Sequence, residues 1–158
     1  MTILRPAVLA LASGLVAAPA LALEVIQSVE VAAAPDEVWQ AIAGFCTIAA
    51  WHPMIAACVD GEQNGVAMRT LTTTDGAVLV ERRVQYSDEG MSYSYQIVES
   101  PLPVKDYEST LAVMDGPEGA MVTWSGEFDA NGASDADALE VIDDIYGAGL
   151  AALKEQLR

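Results

Sequence analysis

The sequence predicts one α+β domain in which a curved antiparallel sheet of about seven strands wraps around a long carboxy-terminal helix. From residue 24 to residue 130, most segments alternate apolar and polar residues, as strands with one buried face do. Residues 134–157 instead carry apolar residues at steps of three and four, the spacing of a helix with one buried face. A sheet and a helix that each have one apolar face bury both by packing together.

Residues 1–22 have the composition of a secretory signal peptide. Arg5 lies near the amino terminus, residues 7–18 are apolar, and Ala20-Leu21-Ala22 is a small-x-small cleavage sequence. The apolar run is shorter than the roughly 20 residues of a membrane-spanning helix. We therefore expect cleavage after Ala22, a periplasmic domain of residues 23–158 and no membrane span after cleavage; an uncleaved anchor is the alternative.

The chain is strongly acidic, with 23 Asp and Glu against 7 Lys and Arg and a net charge of −16. Cleavage after Ala22 would remove Arg5 as its only charged side chain, so 6 cations would remain against 23 acids and the net charge would become −17. Such a charge repels nucleic acids and anionic membranes, so we expect neither as a partner. A basic protein partner is compatible with it.

Cys46 and Cys58 are the only cysteines. A pair of cysteines in an exported protein predicts a disulfide. Closing a loop of this length stabilises the folded state by ~3 kcal/mol on the chain-entropy account. The cysteines and the single histidine, His52, lack the ligand spacing of a zinc site, so we expect no metal and no cofactor.

The first strand is predicted over residues 24–32, and two short helices follow it. Ala34-Pro35-Asp36-Glu37 opens the first helix, with a proline and two acids in its first turn. Its apolar face comprises Val38, Trp39, Ile42 and Phe45, and Gly44 marks its end. Pro53 cannot lie inside a helix, so we expect a helical turn over residues 47–51 and then a strand near Ile55.

Turn residues divide the next part of the chain. Asp60-Gly61 and Asn64-Gly65 are turn signals. Residues 66–73 and 78–86 then read as a hairpin around Thr74-Asp75-Gly76.

Three further strands are predicted from strict alternation of apolar and polar residues. Their expected inner faces are Met91, Tyr93, Tyr95 and Ile97; then Tyr107, Ser109, Leu111 and Val113; then Val122, Trp124, Gly126 and Phe128. Gly116-Pro117-Glu118-Gly119 is predicted to be the turn between the last two.

The closing helix is predicted from Ser134, which with Asp137 makes a start resembling a capping box. The apolar face of this helix comprises Leu139, Ile142, Tyr146, Gly149, Leu150, Leu153 and Leu157. Gly147 and Gly149 each weaken a helix by ~1 kcal/mol relative to alanine. Either the helix packs closely against a neighbouring backbone there, or the glycines leave room for a ligand.

A set of short motifs occurs in order along residues 23–158: Ala34-Pro35-Asp36-Glu37-Val38-Trp39, Trp51-His52-Pro53, Gly65 to Arg69, Glu81-Arg82, Leu102-Pro103-Val104 with Tyr107, Val122-Thr123-Trp124, and Gly149-Leu150 to Leu153-Lys154. With this set the chain resembles the START-like helix-grip superfamily (SRPBCC), which includes polyketide cyclases, the birch-pollen allergen family and plant abscisic-acid receptors. It is most similar to the exported polyketide-cyclase/dehydrase-like branch, one member of which is an accessory protein of periplasmic methanol oxidation.

The resemblance implies a helix-grip fold with a cavity between the sheet and the long helix. It places a gate loop at residues 73–77 and a latch at residues 102–107, and it puts Glu81 inside. The gate lacks the Gly-Leu-Pro of the hormone receptors, and Ala56 stands where they carry an anchoring lysine, so hormone sensing is not expected. The pattern from Phe45-Cys46 to Cys58 resembles the exported branch and supports the disulfide.

We predict that a small hydrophobic or amphipathic molecule binds in this cavity. The predicted ligand-binding residues are Trp51, His52, Pro53, Glu81, Tyr93, Tyr95, Leu102, Pro103, Tyr107, Trp124, Tyr146 and Leu150. His52 is a candidate acid or base, but a structural or cavity-lining role is favoured because no carboxylate near it in sequence can orient it. Glu81 and Arg83 share a strand face and form either a buried pair that anchors a polar head or a solvated pair.

Three functions are compatible with these patterns. The first is a non-enzymatic periplasmic binding protein for the small hydrophobic molecule. The second is an accessory protein that docks to a periplasmic redox enzyme or cytochrome through its acidic surface. The third is a cyclase or isomerase that uses His52, Glu81 or a tyrosine for acid–base work; no nucleophile–base pair is recognisable, so we predict no specific catalytic residue.

Overall fold

The computed structural model describes residues 22–158, so the predicted signal peptide, apart from Ala22, lies outside the described residues. The elements in chain order are β1 (Leu23–Val31), α1 (Pro35–Ile42), α2 (Ile48–Trp51), β2 (Ile55–Gln63), β3 (Val66–Thr73), β4 (Val78–Ser87), β5 (Ser92–Glu99), β6 (Val104–Asp115), β7 (Ala120–Ala130) and α3 (Asp135–Gln156). The seven strands form one antiparallel sheet in the order β1-β7-β6-β5-β4-β3-β2. The predicted α+β helix-grip fold is confirmed, with both short helices between the first two strands.

Irregular strand pairing bends this sheet. The pairing of β4 with β5 shifts register at two places, and the pairing of β6 with β7 shifts between Lys105 and Glu108. Asp106, within the β6 irregularity, has a φ of 52°. Because a bulge bends and twists its strand, these shifts let the inner face of a long meander close around one helix.

The inner faces of the later strands are those predicted from alternation. The predicted inner-face residues that are buried are Tyr93 and Tyr95 on β5, Tyr107, Ser109, Leu111 and Val113 on β6, and Val122, Trp124, Gly126 and Phe128 on β7; Ser94, on the other face of β5, is buried as well. Met91 and Ile97 are half-buried. The period of two in the sequence therefore located the concave surface of the sheet.

One predicted turn is wrong. Asp60 and Gly61 lie inside β2, opposite Arg69 and Met68 of β3. β2 is an edge strand with a partner on one side only, so two residues of low strand propensity weaken its pairing little. The reversal comes at Asn64-Gly65, where both φ angles are positive, at 52° and 80°, as a two-residue hairpin turn requires.

Helix α3 begins as the sequence predicts and buries the predicted face. The Ser134 hydroxyl accepts a hydrogen bond from the backbone N–H of Asp137 at 3.1 Å. The buried residues are Ala138, Ile142, Tyr146, Gly149, Leu150 and Leu153, with Leu139 and Leu157 half-buried. This face packs against β1 and β7 and so closes one side of the sheet.

Gly149 is a point of close approach between α3 and two buried side chains. A Cβ atom there would lie 2.6 Å from His52 Cδ2 and 2.9 Å from Trp124 Cζ3. Close packing is therefore the reason for this glycine, against two side chains rather than against backbone. At Gly147 the nearest atom to an added Cβ is Gln27 Oε1, at 3.3 Å.

The predicted disulfide between Cys46 and Cys58 is present, with Cα atoms 5.4 Å apart. It ties the segment between α1 and α2 to the edge strand β2. None of the helices between residues 22 and 158 combines the length and the apolarity needed to cross a membrane.

The substitution Gly149→Ala should destabilise the domain. Its methyl group would clash with two buried rings, at a cost of about 1–3 kcal/mol, and the helix propensity gained offsets only ~1 kcal/mol of this. Gly147→Ala is the matched control, because the end of the Gln27 side chain can shift and the free energy of unfolding should change by less than ~1 kcal/mol. Urea unfolding of both variants measures the difference. Equal stability of the two would contradict this packing.

Candidate functional site

A cavity of about 510 Å³ lies between the inner face of the sheet and α3. Its walls are mainly apolar and comprise Ile48, Leu71, Leu79, Ile97, Ile142 and Ile145. Polar side chains join them from His52, Glu81, Tyr95 and Tyr107, and at the rim from Thr73, Thr74 and Asp75. Apolar walls with a few polar groups are the usual composition of a small-molecule site, and this volume lies in the usual range for one.

The two loops that the resemblance named as gate and latch both border this cavity. Thr73, Thr74, Asp75 and Ala77 line it from the β3–β4 turn, and Leu102 lines it from the loop before β6. The side chain of Asp75 is exposed there. The pKa of Asp75 lies below its ordinary value because the Thr73 hydroxyl and the Ala77 N–H donate hydrogen bonds to it. This rim therefore carries a negative charge over a wide pH range.

The structure brings some of the predicted ligand-binding residues together and separates others. His52, Glu81, Tyr95, Leu102 and Tyr107 line the cavity. The predicted residues that do not line it are Trp51, Pro53, Tyr93, Pro103, Trp124, Tyr146 and Leu150. Most of these are core residues: Trp124 stacks on Tyr146 with ring centroids 4.5 Å apart.

A chain of hydrogen-bonded hydroxyl groups lies behind the cavity, and a backbone carbonyl at its far end determines which hydroxyl donates to which. Ser109 Oγ donates to the carbonyl of Ser125 at 2.7 Å. Because that proton is used, the Tyr146 hydroxyl, 2.8 Å away, must donate to Ser109 Oγ. The Tyr107 hydroxyl in turn donates to the Tyr146 oxygen at 2.6 Å. Tyr107 therefore presents only acceptor capacity to other groups.

An indole N–H joins this chain from the side. Trp124 Nε1 donates both to Ser109 Oγ at 3.0 Å and to the Tyr95 hydroxyl at 3.1 Å. Burial raises the pKa of Tyr95 and of Tyr107 well above the ordinary value. Burial also raises the pKa of Tyr146 to about 12. The tyrosines are accordingly neutral at physiological pH.

His52 is held by both of its ring nitrogens. Nε2 lies 3.0 Å from the carbonyl of Ile145, and Nδ1 accepts from the backbone N–H of Met54 at 3.2 Å. A carbonyl only accepts, so Nε2 carries the proton and the ring is neutral. Burial lowers the pKa of His52; the hydrogen bond to Ile145 opposes this, and the positive charge of Arg69 adds to it. These contacts make His52, the residue after α2, a link between α2 and α3.

Glu81 is inside, as the resemblance implied, but its partner is not Arg83. Arg69 Nε donates to Glu81 Oε2 at 2.5 Å, and both side chains are almost completely buried. The Arg83 guanidinium instead lies 4.6 Å from the ring centroid of Tyr86. Arg69 and Glu81 face each other across the β3–β4 hairpin, so the pairing is across strands rather than along one strand.

Sequence reasoning missed Arg69. It also donates from Nη1 to the carbonyl of Phe45 at 2.6 Å, and its guanidinium lies 4.2 Å from the centroid of the Phe45 ring. Nη2 is buried without a partner among the described residues. Burial opposes the charge of Arg69, but the Glu81 carboxylate outweighs it and raises the pKa of Arg69 above its ordinary value. Arg69 therefore keeps its charge beside Glu81, its salt-bridge partner.

The only histidine should make stability pH-dependent below neutrality. Because the folded pKa of His52 is lowered, the unfolded chain binds the extra proton. The stabilisation is therefore fully present above the unfolded pKa of about 6.5 and is lost as the pH falls through the folded pKa. In this range the free energy of unfolding should change with pH by at most ~1.4 kcal/mol per pH unit. Denaturant unfolding between pH 5 and pH 7.5 measures it, and the slope should disappear in His52→Gln; an unchanged slope in that variant would assign it to other groups.

The chain matches the family profile described as "Polyketide cyclase / dehydrase and lipid transport" over residues 22–158. Among solved structures it is 34% identical to the protein XoxI from Bacillus cereus, with 85% of this chain and 94% of that chain covered and a TM-score of 0.79. It is 33% identical to an uncharacterised protein from Bacillus thuringiensis, with 85% and 98% covered and a TM-score of 0.80.

The ZhuI aromatase/cyclase from Streptomyces sp. R1128 is 17% identical, covers 86% of this chain and 93% of its own, and has a TM-score of 0.71. At that identity the likeness shows the fold alone. A comparison with curated proteins gave no match. On the family profile and the XoxI likeness together, the protein belongs to the polyketide cyclase/dehydrase and lipid-transport family.

Proposed function

We propose that the protein is a periplasmic binding protein that holds a small hydrophobic or amphipathic molecule in the cavity between the sheet and α3. The observation that carries this proposal is the cavity itself, about 510 Å³ with mainly apolar walls. Burying an apolar ligand there would contribute ~25 cal/mol for each Å² removed from water. Lipid transport, in the description of the family, is compatible with such a ligand.

The periplasmic location is part of the proposal. The Cys46–Cys58 disulfide supports it, because disulfides persist in oxidising compartments. The composition of residues 1–22 supports it as well.

Binding is favoured over acid–base catalysis by the state of the polar groups at the cavity. Both ring nitrogens of His52 are engaged in hydrogen bonds to the backbone. The hydroxyls of Tyr95 and Tyr107 are held neutral by burial, which raises the pKa of each. A general acid or base works best with a pKa near the working pH, and these groups are shifted away from it.

Uptake of the neutral fluorescent probe N-phenyl-1-naphthylamine tests the proposal, with protein purified after expression of the full-length chain. Leu102→Trp should fill the mouth of the cavity and weaken probe binding about tenfold or more. Val98→Trp is the matched control, because Val98 is 49% exposed and does not line the cavity. Native mass spectrometry of the purified protein should show a bound small molecule. Absence of both probe uptake and a copurified molecule would overturn the proposal.

A second candidate is an accessory protein that docks to a basic periplasmic redox protein. Glu24, Glu127 and Glu108 are direct neighbours across β1, β7 and β6, and all three are exposed. Neighbouring like charges destabilise a sheet, and a basic partner would relieve this repulsion. The net charge of −16 for the whole chain adds long-range attraction for such a partner.

A basic c-type cytochrome is a suitable probe for this second candidate. Replacing Glu108 and Glu127 with Gln should weaken its binding several-fold at low salt, about threefold for each charge, and the difference should vanish at high salt. Replacing the exposed Glu62 and Glu89 with Gln is the control with the same change in net charge. Equal weakening by both pairs would show that only net charge matters and would remove the specific surface.

A further inference from the structure

The polar lining of the cavity consists mostly of hydrogen-bond acceptors. Arg69 is the one side-chain donor that Glu81 has among residues 22–158, and it bonds Oε2, so Glu81 Oε1 is free to accept. Tyr107 gives its proton to Tyr146, so its oxygen also accepts. His52 has neither ring nitrogen free. The Tyr95 and Thr74 hydroxyls can still donate, but two neutral donors cannot compensate the burial of an anion.

No lysine or arginine of residues 22–158 lines the cavity. Arg69 lies behind the Glu81 carboxylate, with 1% of its surface exposed. The other cations of the described residues lie away from the cavity. Arg82 bonds Gln96, and Arg83 lies against Tyr86. Lys105 pairs with Asp129, Arg158 pairs with Glu155, and Lys154 is exposed near the end of α3. An anionic ligand head would therefore meet a carboxylate and no compensating charge.

We propose that the cavity selects amphiphiles whose head group is a hydrogen-bond donor, such as an amine or an alcohol, and rejects carboxylates of the same chain length. This rests on the proposed binding function and specifies its ligand class. An ammonium head would donate to both Glu81 Oε1 and the Tyr107 oxygen, and an alcohol head to one of the two, while the tail lies against the aliphatic walls. Asp75 at the rim repels an approaching anion in the same sense.

The Arg69–Glu81 pair makes this selectivity reversible by one substitution. In the native pair the guanidinium charge is compensated by the carboxylate that lines the cavity. Glu81→Gln would keep the shape of the side chain and remove that compensation, so the buried Arg69 charge, with its unpartnered Nη2, would become the dominant charge beside the cavity. The cavity should then prefer an anionic head.

Competition against N-phenyl-1-naphthylamine with decylamine, 1-decanol and decanoate tests the selectivity near neutral pH and at moderate salt. In the native protein we expect decylamine and 1-decanol to displace the probe at concentrations about tenfold below that of decanoate. The comparison of amine with carboxylate is decisive, because an apolar cavity without Glu81 would disfavour both charged heads alike.

In Glu81→Gln the preference should shift towards decanoate by about tenfold or more. Glu89→Gln is the control, because it makes the same chemical change at an exposed position away from the cavity, and it should leave the order unchanged. Removing one partner of a buried ion pair can prevent folding. The double variant Arg69→Met with Glu81→Leu avoids an unpaired charge, and in it the preference for amine over carboxylate should shrink.

The outcomes separate the two proposals. If the probe does not bind and no decyl compound is taken up, the binding function fails, and the selectivity fails with it. If the probe binds but decanoate competes as well as decylamine in the native protein, only the selectivity is overturned. An amine preference that persists in both Glu81 variants would assign it to the surface charge and would also overturn this inference.

Discussion

The structure depends on one contact, the close approach of α3 to the sheet at Gly149. There the helix backbone meets the rings of His52 and Trp124, with no space for a Cβ atom. His52 also bonds the carbonyl of Ile145 one turn earlier on the same helix. This contact fixes the height of the helix above the sheet. The cavity is the space that remains between Ile142 and Ile145 of α3 and the inner face of β3, β4, β5 and β6.

The second constraint is a charge pair that the fold buries although burial is costly. Desolvating two ions costs several kcal/mol each, and only a close and well-bonded partner offsets it. Arg69 receives this support from Glu81, from the carbonyl of Phe45 and from the faces of the Phe45 and Tyr95 rings. A salt bridge buried inside an apolar domain acts on whatever occupies the adjoining space. In this domain the carboxylate lies on the cavity side of the pair.

The buried faces of strands and helices could be predicted from the sequence, because side chains repeat every two residues on a strand face and about every 3.6 residues on a helix face. Alternation identified Tyr107, Ser109 and Leu111 as one face of β6, and the cap at Ser134 located the start of α3. The observed ends of β1, β3 and β4 differ from the predicted ones by at most one residue, whereas β2 continues through the predicted turn to Gln63. The turn predicted at Asp60-Gly61 was wrong because these residue types are common in turns but are also tolerated in an edge strand.

The site was less predictable, because inward orientation does not decide which inward side chains border a void. Trp124, Tyr146 and Leu150 point inward as predicted, yet they fill the core beside the cavity. Arg69 was missed although a signal existed. The predicted turn at residues 74–76 centres the hairpin on Asp75, and that register places Arg69 opposite Glu81. Pairing along one strand pointed to Arg83, whereas the antiparallel ladder pairs residues across strands.

The protonation states around the cavity connect these constraints to function. The carbonyl of Ser125 orients Ser109, which orients Tyr146 and then Tyr107. The carbonyl of Ile145 fixes the tautomer of His52 in the same way. A backbone carbonyl can only accept hydrogen bonds, so each side chain bonded to it must donate to it and has one stable hydrogen-bond arrangement. A cavity with fixed donors and acceptors discriminates among ligand heads by hydrogen-bond complementarity, since a head of the wrong kind leaves buried groups unpaired. Fixed protons also oppose proton exchange, which supports the proposed binding function over acid–base turnover.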